Sequence, residues 1–314
     1  MNNSYEFSNG AIVQDTLGYL SEQCAVELPP KISATQSAVT TRVATDDAEK
    51  GVKRDSTGEN SAVSPVPIVE VFGLPIARWT FDETVAAVER LIESDKPSYF
   101  ITANLHYARL CHRNQALADV NRRAAFLVAD GMPLIWWSRW QGTPLPERVT
   151  GADLVWALAE AASRRQYRVF LLGGRPGVAD RAASVLQERF PGLVICGTAA
   201  PQIDRLTRDE EQALLDTIAE SEAQLVFAAL GQPKGELWLA RNLGRWGTAT
   251  AVQIGASLDF IAGTLRRAPR IWQRMGLEWA YRLITEPRRL LPRYSADAWF
   301  LLRAVLKGSL RKRR

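Results

Sequence analysis

Residues 167–197 read YRVFLLGGRPGVADRAASVLQERFPGLVICG. An apolar run (167–174) ends in two glycines, a segment of helical length follows, and a second apolar run (193–197) closes the unit. Runs this short and continuously apolar suit strands covered on both faces, and the amphipathic stretch between them suits the covering helix. The same alternation extends outward in both directions. IVEVFG (68–73), SYFITAN (98–104), AAFLVAD (124–130), QLVFAAL (224–230) and TAVQIG (250–255) are the further strand candidates. Thr80 with Glu83, and Thr207 with Glu210, have the Ser/Thr-x-x-Glu spacing that caps a helix start. Strands alternating with helices predict an α/β fold, a mostly parallel sheet with helices on both faces.

In such a sheet ligands sit beyond the carboxyl ends of the strands. Five strand ends there carry small or polar residues: TAN (102–104), ADG (129–131), LGG (172–174), ALGQPKGE (229–236) and IGASLDFIAG (254–263). Asp130 closes its strand ahead of Gly131 and can act as a general base toward an attacking hydroxyl; the competing role is an Asx-turn or a cap for the helix near Met132. Thr102 and Asn104 alternate on one strand end and suit sugar hydroxyls, or strand-end capping. Gly173 and Gly174 open a turn whose amides can hold a phosphate, or serve a tight turn alone. Gly231, Gln232, Lys234 and Glu236 bring polar groups to the next helix start, where capping is the plainer reading. Asp259, acidic within an apolar run, suits ligand contact or a buried hydrogen-bonded role. His106 and His112 are the only histidines, and with Cys24, Cys111 and Cys196 they make a poor metal set. No cofactor is expected. Residues 66–264 contain no Asp-x-Asp, so arginines are the candidates to meet a diphosphate.

Charge divides the chain unevenly. Residues 1–65 sum to −4, 66–264 to −2 and 265–314 to +11. Residues 1–65 are polar without apolar period and are expected to be a disordered extension; 66–264 form the α/β domain, and 265–314 a basic helical C-terminal appendage broken at Pro287 and Pro292. Its cations interleave with Trp272, Trp279, Tyr281, Tyr294, Trp299 and Phe300, a composition suited to an anionic membrane surface. Nucleic acid is the rival partner for such charge, and the lack of a recognisable reader motif speaks against it. No run reaches the roughly 20 apolar residues of a transmembrane helix, and the first residues have no secretory pattern. The expectation is a cytoplasmic protein, peripheral on the inner face of the cell membrane.

Taken in order, TAN, LVADGMPL, RVTGADL, FLLGG, ALGQPKGE, IGASLDFIAG and RAPRIWQRMGLEWAYRLITEPRR resemble the WecG/TagA/CpsF glycosyltransferase family, also called glycosyltransferase family 26, over about residues 68–293. The resemblance implies a Rossmann-like fold and an inverting, metal-independent transfer from a UDP-sugar to a polyprenyl-diphosphate-linked sugar in cell-surface polysaccharide assembly. It implies Asp130 as base, Thr102 and Asn104 as sugar or acceptor contacts, and Arg148 as an active-site cation. Arg266, Arg282, Arg288 and Arg289 then resemble the basic residues of an appendage that closes over the site. The family pattern usually reads Pro-Lys-Gln-Glu where this chain has Gly235 between Lys234 and Glu236. That leaves the donor open between an N-acetylmannosamine type and a hexose such as glucose, and a homo-oligomer open as well. A non-catalytic nucleotide- or nucleic-acid-binding regulator is the alternative from another class.

Overall fold

A computed structural model describes residues 66–311; the extension expected over residues 1–65 lies outside the described residues. In chain order the elements are β1 (Ile68–Val71), β2 (Leu74–Ala77), α1 (Phe81–Glu93), β3 (Ser98–Ala103), α2 (Leu105–Cys111), α3 (Ala116–Arg123), β4 (Leu127–Ala129), α4 (Met132–Gln141), α5 (Gly151–Arg165) and β5 (Arg168–Gly173). They continue with α6 (Val178–Arg189), β6 (Val194–Ala199), α7 (Arg208–Glu220), β7 (Leu225–Ala229), α8 (Lys234–Asn242), β8 (Thr250–Gln253), α9 (Ser257–Ile261), α10 (Arg270–Arg274), α11 (Glu278–Thr285) and α12 (Pro287–Arg311). The sheet order is β1-β2-β4-β3-β8-β7-β5-β6. Every pairing is parallel except β1 with β2.

The period-2 geometry of a strand explains the two cores. Along β5, Phe170 and Leu172 join the core on one face while Val169 and Leu171 join the other. In β7, Val226 and Ala228 share the first core, and Leu225 and Phe227 the second. Each of these Val, Leu and Phe side chains removed from water contributes about 1.5–3 kcal/mol. Helices α1, α5 and α6 cover one face and α2, α3 and α8 the other, through Val88, Leu158 and Ala182 on the first and Tyr107, Leu117 and Leu239 on the second. Both expected capping boxes form: Thr80 Oγ1 accepts from the Glu83 N–H at 3.2 Å while Glu83 accepts from the Thr80 N–H at 2.7 Å, and Thr207 with Glu210 repeats the arrangement.

Three expectations need correction. β2 is an unforeseen strand, because the run LPIA is short and carries Pro75; Phe72 (φ 51°) and Gly73 (φ 78°) form the two-residue hairpin that pairs it with β1. β4 is only Leu127–Ala129, shorter than AAFLVAD. Pro287 opens α12, but Pro292 lies inside that helix without ending it, because buried Leu290 before it and the Asp297–Arg109 ion pair after it offset the lost hydrogen bond and the clash with the preceding turn.

Candidate active site

The carboxyl ends of β3, β4 and β8 surround a cleft of about 520 Å³, and the loops after β7 and segments of α11 and α12 complete its wall. That volume falls within the roughly 300–1,000 Å³ typical of small-molecule sites.

Asp130 lines this cleft. Its N–H donates to the Ala103 carbonyl at 2.7 Å, continuing the β3–β4 ladder one residue past the strand. Gly131, at φ 137°, then turns the chain into α4 and is itself that helix's cap, with no side-chain cap bond. The Asp130 carboxylate is therefore not spent on α4. Its Oδ2 instead accepts the Gly151 N–H at 3.3 Å, at the first turn of α5, where Thr150 is the cap. Burial pushes its pKa up to about 6, against the lowering effects of the Gly151 hydrogen bond and the Arg148 charge; Glu278 and Asp153 add to the rise. A carboxylate held near neutrality is suited to accept a proton at physiological pH.

Thr102 and Asn104 also line the cleft. The Thr102 hydroxyl donates to the Gln253 carbonyl at 2.9 Å, and Asn104 caps α2 by accepting the Tyr107 N–H at 3.0 Å. The capping role is thus present in both, at positions that face the cleft. Arg148 lies in the wall with Nη1 3.3 Å from Glu278 Oε2. Arg267 bridges the same Glu278 (3.5 Å) and Asp153 (2.6 Å), so its guanidinium joins α5 to α11.

Gly231 and Gln232 reach the cleft wall, whereas Glu236 lies beneath it, completely buried. Asp259 lines the cleft and an adjoining shallow depression; its Oδ1 accepts from Thr264 Oγ1 at 2.9 Å and faces Arg175 at 3.6 Å. Arg282 and Arg289 line the cleft, Arg282 with its guanidinium 5.5 Å over the Phe260 ring and Arg289 3.0 Å from Glu286. Arg266 and Arg288 are exposed and outside the lining. Gly173 is outside it too: its φ of 106° and a Cβ position 2.6 Å from the Ala229 carbonyl oxygen mark a close backbone approach. Gly174 borders the depression with Arg175 and Arg289.

Sequence reading missed His106, Gln253, Glu278, Arg293 and Asp297, all in the lining. Asp297 Oδ1 accepts from Arg109 Nε at 2.5 Å and lies 3.2 Å from His106 Nδ1, which fastens α12 to α2. Only Gln253 left a signal in the sequence, a carboxamide ending an apolar strand. Among the described residues no group of three or more His, Cys, Asp or Glu side chains could hold a metal ion.

A carboxylate near neutrality facing arginines at the carboxyl edge of a parallel sheet is equipment for moving a group off an anionic carrier. The model of the glycosyl transferase WecG/TagA/CpsF family matches residues 69–314. The N-acetylglucosaminyldiphosphoundecaprenol N-acetyl-beta-D-mannosaminyltransferase of Bacillus spizizenii is 32% identical over 198 residues, which is 63% of this chain and 75% of that protein. The chain belongs to the WecG/TagA/CpsF family and is a glycosyltransferase.

Proposed function

We propose that this enzyme transfers a sugar from a UDP-sugar to a sugar carried on a polyprenyl diphosphate, by a single inverting displacement without a metal. Asp130 takes the proton of the acceptor hydroxyl as its oxygen attacks the anomeric carbon; the bond from that carbon to the diphosphate oxygen breaks, and UDP leaves. The observation that carries this reading is the Asp130 carboxylate, in the cleft, not engaged in capping α4, with burial lifting its pKa to about 6. Arg148, Arg282, Arg289 and Arg293 share the same cleft and offer the positive charge that a departing diphosphate needs. Thr102, Asn104 and Gln232 are placed for sugar hydroxyls. The acceptor class follows the substrate for which the Bacillus relative is named, and the donor is of the N-acetylmannosamine type or a hexose such as glucose.

Residues 265–314 act in this reading as an appendage that seats the enzyme on the cytoplasmic, anionic face of the membrane. Ile271, Met275, Trp279, Ile284, Leu291 and Trp299 are exposed along α10–α12, interspersed with arginines, and exposed apolar groups among cations favour an interfacial position. No described helix is long and apolar enough to cross a membrane. The test is a panel of UDP-sugars incubated with a short polyprenyl-diphosphate-linked N-acetylglucosamine and read by mass spectrometry, with and without EDTA. One donor should extend the acceptor by one sugar regardless of chelator, and failure to extend it or to release UDP with every donor rejects the proposal.

A further inference from the structure

Gln253 ends β8, is only 2% exposed, and forms part of the cleft wall. Its Oε1 accepts the Leu230 N–H at 3.1 Å, which ties the loop after β7 to the end of β8. That bond fixes which way round the carboxamide sits, because a backbone N–H needs an oxygen. The NH2 group therefore points the other way, and Nε2 is buried without a hydrogen bond of normal geometry. Buried donors left unspent are costly and rare in a folded protein.

Residue 235 explains how the carboxamide fits. A Cβ built on Gly235 would overlap Nε2 and lie 2.7 Å from Cδ of Gln253. The absent side chain at 235 and the present one at 253 are thus two halves of one packing arrangement: the carboxamide of β8 fills the volume that a side chain from α8 would claim. Below it is Glu236, to which Gln232 and Gln253 are the nearby amide donors, though neither carboxylate oxygen receives a hydrogen bond of normal geometry. The floor of the cleft at this point is a layer of polar groups whose hydrogen-bonding capacity the protein itself leaves partly unused.

We infer that Gln253 is a donor-recognition residue, whose carboxamide, seated in the volume that Gly235 leaves to it at the cleft wall, offers Nε2 to an oxygen of the sugar being transferred. The inference rests on the UDP-sugar reading given above. It divides the work of the cleft: Asp130, past the end of β4, serves the acceptor's proton, and Gln253, at the end of β8, reads the donor.

Three variants test it, Gln253→Met, Gly235→Gln and the exchange Gln253→Gly with Gly235→Gln, each assayed for UDP binding by calorimetry and for turnover against the best donor. Methionine keeps the volume and removes the donor group, so the KM for the UDP-sugar should rise roughly 10- to 100-fold with UDP binding unchanged. Gly235→Gln alone should lose activity through overlap with Gln253. The exchange variant, which delivers a carboxamide to the same volume from α8, should recover UDP-sugar affinity to within about fivefold of the native enzyme, and the result that a purely structural role does not produce is the selective loss of UDP-sugar over UDP in Gln253→Met. An unchanged KM in Gln253→Met, or equal losses for UDP and UDP-sugar, overturns the inference while leaving the functional proposal standing. A native enzyme that releases UDP from no donor removes the proposal itself.

Discussion

Replacing Asp130 by asparagine should cripple turnover and at the same time make the protein more stable. Asparagine keeps the shape and can still accept the Gly151 N–H, which now meets Oδ2 at 3.3 Å, but it cannot take a proton from a hydroxyl. Loss of a general base costs about 10²- to 10⁴-fold, so turnover should fall at least about 100-fold with UDP-sugar binding retained. Stability moves the other way because burial lifts the Asp130 pKa to about 6, whereas an aspartate in the unfolded chain titrates near about 3.9. Below pH 4 both states are protonated and the native state is not penalised. Between about pH 4 and 6 the unfolded chain releases its proton while the folded one holds it, so native stability declines, and above 6 the full penalty applies. The difference corresponds to a ceiling of about 3 kcal/mol at pH 8 and about 1.5 kcal/mol at pH 5, reduced where water reaches the cleft. For a chain of this size 3 kcal/mol raises Tm by roughly 6–12 °C. Thermal melts of both proteins across pH 5–8, beside steady-state UDP release, measure both effects. A variant that melts lower than the native protein, or by a margin independent of pH, refutes the burial argument; undiminished turnover refutes the assignment of the base.

Arg148→Ala removes a positive charge that holds the Asp130 pKa down; the rising limb of the pH–kcat/KM profile should move above about pH 6, and an unmoved limb would detach Arg148 from the base. Asp297→Asn leaves Arg109, itself 8% exposed, without its anionic partner. Breaking one side of such a buried pair costs about 3–5 kcal/mol, which hydrogen exchange should register as early opening of α12 against α2. Ile271→Asp with Ile284→Asp places two charges on side chains that are 65% and 69% exposed. Sedimentation with anionic vesicles should drop about 10-fold or more while the melting temperature holds, and equal sedimentation would exclude this face from membrane contact. Gly173→Ala sets a methyl against the Ala229 carbonyl at a φ that favours glycine, so it should destabilise by about 1–3 kcal/mol in a denaturant titration.

Much of the sheet was legible because parallel strands covered on both faces leave uninterrupted apolar runs, and YRVFLLGG and QLVFAAL needed no partner to be recognised. β2 escaped since an antiparallel hairpin at the edge needs only four residues, and Pro75 disguises them. At the site, Asp130 was visible from its place at a strand end before glycine. The roles of Thr102 and Asn104 were legible only as alternatives, since a hydroxyl and an amide at a strand end can cap and face a ligand together. Which arginines of the tail face inward was not legible: Arg282 and Arg289 line the cleft while Arg266 and Arg288 do not, and that selection depends on how α11 and α12 dock. Arg267 and Arg293 matter for the same reason. The link between Gly235 and Gln253 joins residues on different elements, and nothing in local sequence announces it.

Helix α12 also has mechanical consequences. Asp297 pins it to α2, and Arg289, two turns earlier and about 12 Å along the axis, borders the cleft. Beyond the pin, Leu302, Val305 and Leu306 extend with their side chains exposed. Phe300, Leu301 and Ala304 pack against the core on the inner side of the same stretch, and Leu290 is buried at the other end, so the helix is clamped on both sides of the ion pair and Arg289 is held at a set distance from it. Pro292 lies between these two anchors, where it can offer no N–H to the helix.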